Sequence, residues 1–200
     1  MIRSFSRLQV PVPKDFLKLE AFRHSPLDIE IGCGVGYHPL QYAQENPERT
    51  LIAIEQTKEK FEKFAGRISH HKKISNLVPI HGNAVAWITH GIEIDSVNRY
   101  FLLYPNPNPK EKLRNKRWFA MPFMKHLIET LKDKGTITLA TNEQFYYEEA
   151  KELGIKYWGL KIIEDRLVKK EEKPRTHFEK KYLMRGDACF NLVFQKSNEN

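Results

Sequence analysis

Short, mostly apolar runs alternate along the chain with longer stretches in which apolar residues recur every three or four positions. The runs at 27–32, 50–55, 77–81, 97–104 and 136–141 read as five strands. The stretches between them read as helices: 37–44, closed by Asn46-Pro47; 58–70; 84–90, ended by Gly91; and a long one over 116–133, ended by Gly135. A further helix is expected over 144–153, with Gly154 as its left-handed C-cap. Weaker patterns at 157–163 and 188–194 read as a sixth and a seventh strand, and the polar stretch 169–175 as a surface loop. Strand and helix in regular alternation predict a doubly wound α/β fold: a mostly parallel seven-stranded sheet with helices on both faces. The expected organisation is a loosely attached N-terminal arm over 1–27, one domain over 28–196 and a short tail over 197–200.

Length agrees with this, since 200 residues suit one domain. The longest apolar runs, such as 100–104, fall far below the ~18–20 residues that span a bilayer. The first residues contain neither an apolar core nor a small-residue cleavage site, so no secretory signal is read there. Two cysteines, Cys33 and Cys189, give neither a disulfide framework nor a zinc site; a cytoplasmic, metal-free protein is expected. The net charge of +8 and pI near 9.4 suit a polyanionic partner, although a basic surface can also serve solubility alone.

The sharpest local signal is Glu30-Ile31-Gly32-Cys33-Gly34-Val35-Gly36, where the first strand gives way to the first helix. Glycines there permit a tight turn and a close approach of ligand to backbone. The spacing is G-x-G-x-G, which is neither the dinucleotide fingerprint nor a P-loop. A carboxylate inside this turn would repel a pyrophosphate but favour the amino and sulfonium groups of S-adenosylmethionine. Glu55, ending the second strand, stands where a carboxylate can take both ribose hydroxyls of an adenosine. Asn83, after the third strand, can bond an adenine edge or simply cap the next helix.

The fourth strand runs out into Tyr104-Pro105-Asn106-Pro107-Asn108-Pro109, a loop stiffened by proline at alternate positions. Ligands of open α/β sheets bind beyond such carboxyl ends. A basic stretch follows, with Lys110, Lys112, Arg114, Lys116 and Arg117 placed to hold phosphates. Trp118 and Phe119 are read as core residues in preference to base-stacking ones. Asn142 ends the fifth strand. Far along the chain, Thr176 and Glu179 can grip the Watson–Crick edge of a purine, or take part in a salt bridge leading into a strand. His177 receives no role.

Four segments in this order resemble the tRNA (guanine-N7)-methyltransferases, a family of class I S-adenosylmethionine-dependent enzymes: E-I-G-C-G-V-G at 30–36, A-I-E at 53–55, P-N-P at 105–107 with N-K-R at 115–117, and T-H-F-E at 176–179. The resemblance implies a Rossmann-like fold and methyl transfer to N7 of a guanosine in the variable loop of tRNA, with S-adenosylhomocysteine as co-product. It implies that Glu30, Gly32, Gly34, Gly36, Glu55, Asn83 and Asn106 line the cofactor site. Asn106 and Asn142 would stand at the reaction centre. Lys110, Arg114, Lys116 and Arg117 would face RNA, and Asn142, Thr176 and Glu179 would complete the guanosine pocket. Four positions depart from the family pattern. Asn106 and Asn142 occupy positions where the family usually carries Asp, and Asn108 and Arg114 replace the usual Trp and His. N7 carries a lone pair and no proton, so transfer needs alignment more than a base. The changed motifs keep open a relative acting on another RNA or a small molecule, or a silent RNA-binding relative. Either a monomer or a homodimer is compatible with the sequence.

Overall fold

The computed structural model describes residues 2–14, 26–71 and 73–197. Residues 1, 15–25 and 198–200, which belong to the expected arm and tail, lie outside the described residues.

Seven strands form one sheet in the order β3-β2-β1-β4-β5-β7-β6. These are β1 (Leu27–Ile31), β2 (Thr50–Glu55), β3 (Leu77–His81), β4 (Val97–Leu103), β5 (Leu131–Thr141), β6 (Lys161–Leu167) and β7 (Phe190–Gln195). The first five pair in parallel, while β7 inserts antiparallel between β5 and β6. The helices are α1 (Tyr37–Glu45), α2 (Lys58–Ser69), α3 (Ala84–Gly91), α4 (Met124–Thr130), α5 (Gln144–Lys156) and α6 (His177–Arg185).

Successive strand residues point to opposite faces, and the core divides accordingly. Ile29, Ile52, Ile54, Tyr100 and Leu102 pack with α3, α4 and α5; Leu51, Ala53, Phe101 and Leu103 pack with α1 and α2. Asp28 on β1 is fully buried on the second side. It accepts hydrogen bonds from Arg49 Nε and Nη2 and from the Tyr42 hydroxyl, each at 2.6 Å. A buried carboxylate requires such partners. Burial and this bond push the Tyr42 phenol up to about 12. The two edge strands are less regular. Pro79 sits in the middle of β3, and β6 is charged and largely exposed.

Several expectations need correction. The long helix over 116–133 does not form. Short 3-10 turns at Glu111–Lys116 and Trp118–Ala120 precede the seven-residue α4. Pro122 has no N–H to give a helix interior, and Phe119 is drawn fully inside against Phe194. Gly135 does not stop a helix. Leu131 pairs with Val97 and Thr136 with Arg99, so Gly135 lies in a bulge of β5. Gly154 is no C-cap either: α5 runs on to Lys156, and a Cβ at this position would come within 2.4 Å of the Phe194 ring. Strands β6 and β7 start later than expected, and α6 between them was not anticipated. The described part of the N-terminal arm is docked. Phe5 packs on Phe123 and His126, and Arg7 Nη2 bonds the Thr89 carbonyl at 3.1 Å.

Candidate active site

The chain moves outward from β1 through β2 to β3, then returns to place β4 on the other side of β1. The carboxyl ends of β1 and β4 therefore flank the switch point where open α/β sheets bind ligands.

At the end of β1, Gly32, Gly34 and Gly36 have φ of 74°, 60° and 83°, a left-handed region costly for side chains. The turn is stitched to β2: Gly32 and Cys33 amides donate to the Ile54 carbonyl, and the Gly34 amide donates to Glu55 Oε2 at 2.9 Å. Glu55 Oε1 accepts from the Thr57 amide at 2.7 Å. A carboxylate has roughly four acceptor sites, so Glu55 keeps capacity for ligand hydroxyls. A Cβ at Gly36 would strike the Phe64 ring at 2.0 Å, whereas at Gly32 or Gly34 it would meet no protein atom within 4 Å. Gly36 is thus required by packing; Gly32 and Gly34 leave an open cradle.

The field in this turn is negative. Burial pushes the Cys33 thiol well above its ordinary value, and the Glu30 and Glu55 carboxylates push it further. The same field favours a cation, so the residues present fit the ammonium and sulfonium of S-adenosylmethionine. Glu30 is almost wholly buried, and its Oε2 accepts from His38 Nδ1 at 2.7 Å, a partner the sequence did not reveal. Asn83 caps α3 by accepting from the Ala86 amide at 3.3 Å, which leaves its amide NH2 to donate elsewhere.

On the β4 side, Tyr104 is held at φ 52°, an unusual conformation for a tyrosine and typical of strained site residues. Asn106 folds its side chain back to accept from the Asn108 amide at 3.1 Å, an Asx turn that shapes the proline loop. Asn142 Nδ2 lies 3.3 Å from Glu143 Oε1.

Thr176 and Glu179 form the start of α6. Thr176 Oγ1 accepts from the Glu179 amide at 3.0 Å, as in a capping box. The Glu179 carboxylate, fully buried, is occupied by Arg175 and by the Tyr104 hydroxyl at 2.9 Å. Burial raises its pKa, but the Arg175 guanidinium and amide with the Tyr104 hydroxyl outweigh this and hold it below the usual value. The T-x-x-E spacing at its start, with Arg185-Gly186 as a left-handed stop at its end, could have exposed α6.

The basic segment splits in two. Lys110, Lys112 and Lys116 are exposed and have no acidic partner among the described residues. Arg114 donates to Glu149 at 2.7 Å, and Arg117, buried, is clamped between Glu149 at 3.0 Å and Glu111 at 3.1 Å. Arg117 therefore ties the 3-10 turns to α5 and is not presented to phosphate. Trp118 and Phe119 pack inward, Trp118 donating its amide to the Tyr146 hydroxyl at 3.0 Å.

An open glycine turn bracketed by two carboxylates thus lies at the switch point of this sheet, and comparison with known proteins gives the class: the protein is a methyltransferase, since the chain belongs to the family described as "Putative methyltransferase", which matches residues 24–192. Among curated proteins it is similar to the tRNA (guanine-N(7)-)-methyltransferase of Chlamydia abortus, with 28% identity over 87% of this chain and 72% of that one. The protein of the same name from Nitrosomonas eutropha is 25% identical over 96% of this chain and 86% of that one. These names bear out the resemblance read from the sequence. Among solved structures, the 16S rRNA methyltransferase KamB superposes with a TM-score of 0.67 at 18% identity, over 88% of this chain and 89% of that one. A methyltransferase from Pyrococcus furiosus gives 0.61 at 20% identity, over 88% and 77%. Among the described residues no helix is long and apolar enough to cross a membrane.

Proposed function

We propose that this protein transfers a methyl group from S-adenosylmethionine to N7 of a guanosine in the variable loop of tRNA. The observation that carries this reading is the open glycine cradle between two carboxylates, in a chain matching relatives named for that reaction over most of its length. S-adenosylmethionine, when bound, supplies an electrophilic methyl on a sulfonium. Glu30 sets the negative field of the turn, the Gly32 and Gly34 backbone admits the amino-acid part, Glu55 takes ribose hydroxyls and Asn83 donates to adenine. Asn106 and Asn142 border the reacting base and offer acceptor oxygens to the charge that N7 acquires. Lys110 and Lys116 meet RNA phosphates, and Arg114, paired with Glu149 but half exposed, borders them. Thr176 and Glu179 serve the guanosine pocket by holding α6 against β4. The test is incubation with tritiated S-adenosylmethionine and tRNA lacking 7-methylguanosine, followed by nucleoside analysis. Labelled 7-methylguanosine is expected. Cofactor binding without labelled RNA, or label in another nucleoside, would overturn the reading.

A further inference from the structure

One set of exposed side chains takes no part in the site described above. Tyr37, directly after the glycine turn, is 47% exposed, and Phe178 on α6 is 42% exposed. Between them stands His177, also exposed. The Tyr37 and His177 rings lie nearly parallel, 14° between planes and 6.3 Å between centroids. His177 meets Phe178 at 6.2 Å, Phe178 stacks on Tyr182 at 6.2 Å, and Tyr182 leans on Tyr104 at 5.5 Å. Five rings thus run in an arc from the cofactor turn to the exit of β4, both borders of the site.

The arc is cationic as well as aromatic. The Arg67 guanidinium on α2 sits 4.3 Å over the Tyr37 ring, and among the described residues no carboxylate pairs with it. Lys180 and Lys181 lie one helical turn beyond His177 and Phe178, exposed and likewise without an acidic partner among the described residues. Tyr104 and Tyr182 pack on the small buried cluster of Val168, Leu183 and Cys189, but core packing does not explain Tyr37, His177 and Phe178, which stand exposed. Exposed rings interleaved with unpaired cations suit an unpaired nucleic-acid strand, whose bases stack while its phosphates meet the charges. A protein partner would fit a drier, less charged face.

We infer that Tyr37, His177 and Phe178, with Arg67, Lys180 and Lys181, form a stacking platform for unpaired nucleotides of the RNA next to the modified one. The inference rests on the RNA reading of the site. It assigns these residues to binding the strand, with no part in methyl transfer.

The experiment titrates a fluorescein-labelled single-stranded RNA heptamer with the full chain in the absence of cofactor, reading anisotropy. Tyr37→Ala and Phe178→Ala are each expected to weaken binding by about ten-fold, while Tyr37→Phe and Phe178→Tyr, which keep the rings, bind as the parent does. The Lys180→Gln, Lys181→Gln double variant is expected to flatten the dependence on salt. In steady-state assays on tRNA, the alanine variants raise KM for tRNA and leave kcat and cofactor affinity unchanged. Parent-like binding by the alanine variants would overturn the platform even where 7-methylguanosine is formed. So would an equal loss in Tyr37→Phe and Tyr37→Ala, or a parent that does not bind the heptamer. A parent that binds the heptamer through these rings yet methylates no guanosine would uphold the platform and overturn the proposed reaction.

Discussion

The Nδ1 of His38 and the Oε2 of Glu30 are 2.7 Å apart in an almost fully buried pair. The pair ties α1 to β1 directly beneath the glycine turn, so the acid that charges the turn is held by the helix that follows it. His38→Ala leaves a buried carboxylate without its donor, at a cost of about 1–3 kcal/mol. Thermal melts should show a lower midpoint for His38→Ala and a near-parent value for His38→Asn, whose Nδ2 replaces Nδ1 as donor. Equal midpoints for both variants would show that the hydrogen bond is not what matters.

The glycines of the turn should separate by phenotype. At Gly36 an added Cβ meets both the positive φ and the Phe64 ring at 2.0 Å, so Gly36→Ala is expected to impair folding. At Gly34 only the left-handed strain applies, on the order of 1–2 kcal/mol. Gly34→Ala should fold, melt a few degrees lower and lose affinity for S-adenosylmethionine, as calorimetry can measure. Retained affinity in a folded Gly34→Ala would argue that the cradle lies elsewhere.

Restoring the acids is expected to speed the reaction unequally. Asn106→Asp adds a carboxylate on an exposed loop, where developing positive charge on the base can use it. Asn142→Asp puts a second carboxylate beside Glu143, whose oxygen is 3.3 Å from the present amide. Like charges at that range raise the pKa of one of them. Its gain should therefore grow with pH and increase further when Glu143→Gln is added. Turnover measured from pH 5 to 8 decides this, and a pH-independent gain would count against the coupling.

Acid should loosen α6 through Glu179. Its folded pKa is depressed, so its contribution to stability is complete above the unfolded value of about 4.3 and is lost as pH falls through the lower folded value. Melting curves of the parent and of Glu179→Gln should converge in acid and diverge toward neutrality. Parallel curves would contradict the assignment.

The first five strands were legible because each pairs in parallel and carries a mostly apolar run, even β3 at the margin of the sheet. The glycine turn was legible because three left-handed residues admit little else. Helix α6 was not, since an amphipathic signal needs a wider apolar stripe than Leu183 and a capped Glu179 provide. Pro122, in the middle of the expected long helix, was visible in the sequence as a helix breaker, but the reading over 116–133 ran through it. Arg117 could not be sorted from its basic neighbours: its partner Glu149 is 32 positions away, brought near only when α5 packs. His38, Arg49 and Tyr104 likewise acquire meaning through tertiary neighbours.

The two outer strands of the sheet have a consequence for how molecules of this protein meet. On β3, Pro79 removes an amide from the open rung. On β6, Lys161, Glu164, Asp165 and Arg166 line the opposite margin with charge. Natural sheets blunt their margins in these ways against fibril-like growth. A highly basic chain is thereby kept from zipping its backbone onto a neighbour's, and encounters between copies are left to side chains.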